Sequence, residues 1–170
     1  PIEPDPRTIQ PQAQNQAANS DGLIKLLQAG RLLDRTKVAE ILGEMGDERG
    51  VLPLIGAMND PSTDVQYVAI KSLGMIADPR AVDPLIIALT SQEKWVRRSA
   101  AHSRGQIGDN KAGDFLIPLL SDHHHDVRAN AARALGKIGD ARAIEPLRRL
   151  LENPKKDVRT GAEMALVLMG

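Results

Sequence analysis

The sequence predicts an all-α protein, a right-handed α-solenoid (superhelix) of stacked helix pairs. Three observations point there: a 31-residue internal period, helical spacing of apolar residues within each period, and a core nearly free of aromatics. The pairs Gly46-Asp47, Ala77-Asp78, Gly108-Asp109 and Gly139-Asp140 recur in one register, and Gly170 falls where the next would begin. Val65, Val96, Val127 and Val158 keep the same register, as do Ala69, Ala100, Ala131 and Ala162. So do Gly74, Gly105 and Gly136, and Ile76, Ile107, Ile138 and Met169. Pro53, Pro84 and Pro146 form a further column, with Phe115 in the missing place. A helix pair of this size cannot bury its own apolar face, so consecutive pairs must stack and share a core.

The elements follow in order. Residues 1–20 carry Pro1, Pro4, Pro6 and Pro11 and a Gln/Asn/Ala stretch, and are expected to be a disordered tail or linker. The chain starts at Pro1 and not Met, which points to a processed start or a piece cut from something longer. Residues 21–46 form a divergent N-terminal repeat, in which Leu42-Gly43 matches Leu73-Gly74. Its Arg31, Asp34, Arg35, Lys37, Glu40 and Glu44 suit a solvated cap. Four full repeats then span 47–77, 78–108, 109–139 and 140–170. In the second, Val82, Leu85, Ile86 and Leu89 predict a first helix near 81–90, with Pro84 in its first turn and Asp78 as cap. A longer second helix is predicted over 94–107, with Val96, Ala100 and Ile107 facing inward and Gly108 as a left-handed cap. Gly inside a helix costs about 1 kcal/mol relative to Ala, so its recurrence at Gly74, Gly105 and Gly136 implies a steric need. The last helix, over 157–169, is less polar than the first repeat. A second copy or a partner is expected to cover it, which makes self-association through the C-terminal repeat an expectation.

Composition narrows the function. Lys plus Arg and Asp plus Glu both number 22, which argues against a nucleic-acid partner bound by phosphate neutralisation. Cysteine is absent, so no thiolate nucleophile or Cys-ligated metal exists. There is no apolar run of the ~20 residues a membrane span needs, and no signal-peptide pattern. No Gly-rich phosphate loop, nucleophile elbow or HExxH motif is present. The expectation is a cytoplasmic protein without catalytic activity, membrane contact, cofactor or metal.

The segments DPRAVDPLIIAL (78–89), KWVRRSAAHSRGQIGD (94–109), DVRANAARALGKIGDARAIEPLRRLL (126–151) and DVRTGAEMAL (157–166) resemble HEAT repeats. More narrowly, they resemble the short HEAT-like repeats first named for phycobilin lyase (PBS lyase) subunits. The resemblance covers roughly residues 21–170 and implies that the second helices line a concave binding face. Similar repeats also build deoxyhypusine hydroxylases, whose second helices carry His-Glu pairs as iron ligands. The matching positions here are Arg98-Ser99, Ala129-Asn130 and Thr160-Gly161, so that activity is excluded. HEAT-like DNA glycosylases combine a concave carboxylate with aromatic and basic neighbours. Trp95, Asp126 and Arg133 fit that pattern poorly in order and charge.

Helical period places Trp95, Arg98, Ser99, His102 and Gln106 on one exposed stripe. One repeat earlier the stripe holds Asp64, Tyr67, Val68, Lys71 and Met75; one later, Asp126, Ala129, Asn130, Arg133 and Lys137. In the last repeat it is Asp157, Thr160, Gly161, Met164 and Leu168. The only Trp and the only Tyr lie on this stripe, and aromatic and Arg side chains dominate binding energy at interfaces. The candidate partner-binding residues are therefore Tyr67, Lys71, Trp95, Arg98, His102, Gln106, Asn130, Arg133 and Lys137. The basic middle of the stripe predicts a protein or peptide partner with some acidic character. The expected function is a protein-interaction scaffold or regulatory subunit; the alternative is a bilin lyase-like subunit acting with another chain on a chromophore.

Three other signals are structural expectations. Arg97, Arg128 and Arg159 recur with Asp78, Asp109 and Asp140, which predicts an Arg–Asp ladder between repeats, weaker where Gln66 replaces Arg. Arg104 interrupts a column of Leu73, Leu135 and Leu166 and needs a partner, for which Asp114 is a candidate. His123, His124 and His125 occupy a turn and read as solvated rather than as a metal site.

Overall fold

The computed structural model describes residues 11–170 of the chain. Residues 1–10 of the expected tail lie outside the described residues. From Pro11 the chain is helical, so the first helix reaches ten residues into the segment expected as a tail. Among the described residues the fold is all-α: α1 (Pro11–Ala29), α2 (Leu32–Met45), α3 (Val51–Ala57), α4 (Thr63–Ile76), α5 (Val82–Leu89), α6 (Lys94–Ile107), α7 (Gly113–Leu119), α8 (His125–Ile138), α9 (Ile144–Leu150) and α10 (Lys156–Leu168). The elements stack as a solenoid, each short helix packing on the long helix that follows it.

Each full repeat opens with one turn of 3-10 helix, at Glu48–Gly50, Pro79–Ala81, Asn110–Ala112 and Ala141–Ala143. The recurring Asp makes that turn. Asp47, Asp78, Asp109 and Asp140 accept hydrogen bonds from the backbone N–H groups of Arg49, Arg80, Lys111 and Arg142. These carboxylates satisfy donors that a helix start leaves unpaired. At the far end of the long helices, Gly46, Gly108 and Gly139 adopt the left-handed conformation. The first full repeat places Ala77 there, with φ of 57°, although a side chain disfavours that region.

The long helices α2, α4, α6, α8 and α10 lie directly against one another, whereas the short helices barely touch. Closer spacing on one side curves the stack and puts the long helices on its inner flank. The helical glycines make the close approach possible. A methyl group on Gly74 would stand 2.5 Å from Ser103 Oγ, and one on Gly105 would stand 2.8 Å from the Ala134 Cα. Ser103 fastens the α4–α6 seam by donating to the Ile70 carbonyl, and Ser72 fastens the α2–α4 seam by donating to that of Ala39.

The core runs the length of the stack. Val65, Val127 and Val158 and all four alanines of the Ala column are buried. Val96 and Ile107 are only partly buried. The buried face of α6 is wider than period alone predicts and includes Ser99, Ala101, Ser103, Arg104 and Gly105. A long helix inside the stack meets two long neighbours as well as its own short partner, so three of its sides leave solvent.

The Arg–Asp ladder exists but uses a different acidic column. Arg97 forms a bidentate pair with Asp122 at 2.7 and 3.1 Å, and Arg35 pairs likewise with Asp60 at 2.8 and 2.9 Å. Asp78 and Asp140 are occupied by Arg80 and Arg142, two residues away, and cannot serve. The intervening rungs have Ser91 and Asn153 where a carboxylate would stand. Arg128, whose rung meets Asn153, holds the loop carbonyl of Asp122 instead, and Arg159 holds that of Asn153. Gln66 makes only the carbonyl bond, to Asp60.

Arg104 is fully buried, at 0% exposure, and does not reach Asp114, which pairs with Arg142. Its Nη2 makes contacts of 3.4 Å to the backbone oxygen and carboxylate of Asp109, while Nε and Nη1 have no partner.

Candidate partner-binding face

The stripe falls on the long helices, and therefore on the inner flank. Trp95 is 46% exposed at the start of α6 and Tyr67 is 36% exposed on α4, the preceding long helix. Arg98, one turn beyond Trp95, lies between them. Its guanidinium carbon is 5.0 Å from the Trp95 ring centroid and 6.0 Å from that of Tyr67. Lys94 Nζ sits 4.7 Å from the Trp95 ring. Cations over aromatic faces gain from the ring quadrupole. Arg98 also approaches Asp126 of α8 at 3.8 Å, a loose ion pair that draws three long helices together at one point. Thr63, Asp64, Tyr67, Trp95 and Arg98 enclose a shallow hollow of about 290 Å³ there.

A second hollow, of about 310 Å³, lies deeper along the same flank. It is lined by Tyr67 and Lys71 from α4, Arg98, Ser99, His102 and Ser103 from α6, and Asn130 from α8. Five of the nine candidate residues meet in it. Trp95 belongs to the adjoining hollow. Gln106 is exposed further along α6, where its amide meets His102 at 3.4 Å and accepts from Lys137 at 3.4 Å. Asn130 donates back to the Asp126 carbonyl. Burial lowers the His102 pKa, and the positive charges of Lys137, Lys71, Arg133 and Arg98 lower it further. Arg133 and Lys137 thus act on the hollow through their fields although their side chains do not line it. Among the described residues, Lys71, Arg133 and Lys137 have no carboxylate within 4.0 Å.

Three stripe positions differ from expectation. Ser99 is only 5% exposed and Ala129 only 1%, because both lie at seams between long helices and not on the open face. Gly161 occupies such a seam too, where an added methyl would stand 2.9 Å from the Ala129 carbonyl oxygen. Sequence reasoning treated Ser99 as one more exposed polar residue. The structure shows a buried hydroxyl without a hydrogen-bond partner, against the wall of the hollow. Its column reads Val68, Ser99, Asn130 and Gly161, so polar residues in the two central repeats alone were the available signal. Lys94 is expected from the sequence only as a basic residue of the stripe; its place over the Trp95 ring carried no sequence signal.

The His run is dispersed. His124 lies 3.4 Å from Asp122 and His125 pairs with Asp157 at 2.7 Å. No group of three or more potential metal ligands assembles among the described residues. No helix among them is long and apolar enough to cross a membrane. A larger cleft of about 710 Å³ opens between the short helices α3 and α5 and the N-terminal ends of α4 and α6, lined by Ile55, Met58, Ile87 and Val96 among others.

A model of HEAT repeats matches residues 20–103 and again residues 82–167. The chain belongs to the HEAT-repeat family. No curated protein matches it. Among solved structures, the complex of CpcE and CpcF of phycocyanin lyase from Nostoc sp. PCC7120 is similar, with a TM-score of 0.81 and 26% identity. The match covers 99% of this chain and 70% of that one. An engineered protein from a structural genomics consortium shares the fold at a TM-score of 0.71 and 24% identity, covering 93% and 82% of the two chains. A designed armadillo repeat protein in complex with the peptide (KR)4 shares it at 0.69 and 20%, covering 94% and 85%. The HEAT-repeat assignment therefore rests on the sequence, and the solenoid architecture on the coordinates.

Proposed function

We propose that this HEAT-repeat chain is a non-catalytic interaction scaffold or regulatory subunit that binds a protein or peptide of acidic character along its concave face. The observation that carries the reading is the Trp95–Arg98–Tyr67 stack, half-exposed on the inner flank beside cations that lack carboxylate partners among the described residues. Preformed aromatic and Arg anchors bind without a large ordering cost, since their rotamers are already held. Lys71, Arg133 and Lys137 supply the long-range attraction for acidic partners, and Gln106 and Asn130 supply polar contacts at the rim.

The test compares capture by the intact chain with capture by its Trp95→Ala variant. A partner held stoichiometrically by the first and lost by the second supports the reading. Equal capture by both refutes the role of this face.

A second reading draws on the likeness to the phycocyanin lyase CpcE–CpcF complex, which aligns over nearly all of this chain. In that reading the chain is a bilin lyase-like subunit that handles a chromophore together with a partner chain, with Tyr67, Trp95 and His102 at the tetrapyrrole. Bilin added to the purified chain separates the two. A shifted absorption band with stoichiometric retention favours the lyase-like subunit, and an unchanged spectrum favours the scaffold.

A further inference from the structure

The 310 Å³ hollow has features that peptide binding in general does not require. It is walled by three successive long helices, and each contributes polar or cationic groups: Tyr67 and Lys71 from α4, Arg98, Ser99 and His102 from α6, Asn130 from α8. The Ser99 hydroxyl is the odd one. Ser99 is 95% buried by the complement of its 5% exposure, yet its Oγ has no hydrogen-bond partner. Ser72 and Ser103, in comparable seams, both donate to a carbonyl of the preceding long helix. Buried hydroxyls are normally satisfied, so an orphaned one on a cavity wall marks a place for an acceptor supplied from outside.

Charge says what kind of acceptor. Lys71, His102 and Arg133 occupy one column at successive repeats, and Lys137 stands one turn beyond Arg133. Facing His102 are Lys71 from α4, Arg98 and Gln106 from its own helix, and Arg133 and Lys137 from α8; all four cations depress its protonation. Asp126 offsets part of this by its loose contact with Arg98, and Glu40 lies close enough to Lys71 to feel its charge. The balance of four cations against two carboxylates leaves room for a dianion. A carboxylate, with two coplanar oxygens, is best met by one guanidinium fork. Donors converging from three helices suit a group with three acceptor oxygens spread in space and a double charge.

We propose that this hollow binds a phosphoryl group, presented by a phosphorylated side chain of the partner. The phosphoryl pocket stands on the geometry above; that a peptide presents it rests on the reading under Proposed function. Ser99 and Asn130 donate to the oxygens, Lys71, Arg98 and Arg133 supply charge, and Tyr67 closes one side. Occupancy by a dianion favours protonation of His102 and so adds a further donor.

The experiment uses the intact chain and follows the histidine ring resonances by NMR during titration with inorganic phosphate near pH 7.5. The expected result is a saturable shift of His102, absent at His123, His124 and His125, with a rise in the His102 pKa. Ser99→Ala and Lys71→Gln weaken phosphate by about tenfold or more while helicity is kept, as loss of a bond to a charged group does. In a second arm, a short Glu/Gly peptide carrying one phosphoserine is compared with its unphosphorylated copy. Tighter binding of the phosphorylated peptide by about tenfold or more, abolished by Ser99→Ala, supports the whole proposal. Equal binding of the two peptides with His102 unmoved by phosphate overturns the pocket and leaves the peptide groove standing. A saturable His102 shift with neither peptide bound keeps the pocket and overturns the peptide reading. Shifts of equal size at all four histidines overturn the pocket as well.

Discussion

Gly105 of α6 rests on Ala134 of α8 so closely that a methyl group on the glycine would stand 2.8 Å from the Ala134 Cα. The obstacle is backbone, which cannot rotate aside. Gly105→Ala gains helix propensity worth about 1 kcal/mol. Overpacking costs about 1–3 kcal/mol, so the seam must open and the sum falls on the side of loss. Urea denaturation of Gly105→Ala is expected to show a lower midpoint than wild type. Gly56, which has open space around its missing Cβ, is the control, and Gly56→Ala is expected to be neutral or stabilising.

Arg104 takes the place that Leu73 and Leu135 fill in neighbouring repeats and is buried with two nitrogens unpartnered. Its contacts to Asp109 are at the outer limit of hydrogen-bond length. Exchanging a poorly satisfied buried charge for an apolar side chain is neutral or stabilising by about 1–4 kcal/mol. Arg104→Leu is therefore expected to raise the thermal midpoint. Arg104→Ala, which leaves a cavity, is expected to gain less or to lose.

Ala77 holds a left-handed conformation where Gly46, Gly108 and Gly139 stand in the other repeats. Ala77→Gly relieves a cost of about 1 kcal/mol at that cap. Denaturant midpoints of the two proteins measure it directly, and an unchanged or lower midpoint contradicts the cap argument.

Acid should loosen the repeat junctions, whose carboxylates contribute their full stabilisation at neutral pH. The Arg80 side chain holds the Asp78 pKa down to about 2, and Arg142 and Arg35 lower those of Asp140 and Asp60. A carboxylate with a depressed folded-state pKa stabilises the fold above its unfolded value of ~3.9, and that stability fades as pH falls through the folded value. The thermal midpoint is expected to decline between about pH 4 and pH 2. Asp78→Asn should flatten part of that decline. These pairs are partly exposed, so the effect of each is small and salt-sensitive.

The order of short and long helices, the capping Asp and the crowded glycines were legible in the sequence. Each recurs at 31 residues, and each has a local physical cause. The ladder was legible only by half. The recurring Arg gave one partner, but the acceptor column at Asp60 and Asp122 is broken by Ser91 and Asn153 and so carried no periodic signal. Ser99 was misplaced because a single-helix wheel assumes one buried face, whereas a helix inside a stack buries three. The start of α1 was missed because Pro11 and the Gln/Asn-rich turns after it lack an apolar stripe. At the other end, Val167 of α10 is 81% exposed, near exposed Leu168 and Met164, an apolar patch of the kind expected from the sequence.

The inner flank stands or falls with Trp95. The decisive measurement is the affinity of peptides selected from a random library on the intact chain, taken for wild type, Trp95→Ala and Ile87→Ala, the last exposed on the short helix α5. The account predicts acid-rich peptides whose binding drops about thirtyfold with Trp95→Ala, equivalent to about 2 kcal/mol, and is untouched by Ile87→Ala. Peptides that ignore Trp95→Ala but are lost with Ile87→Ala would contradict it.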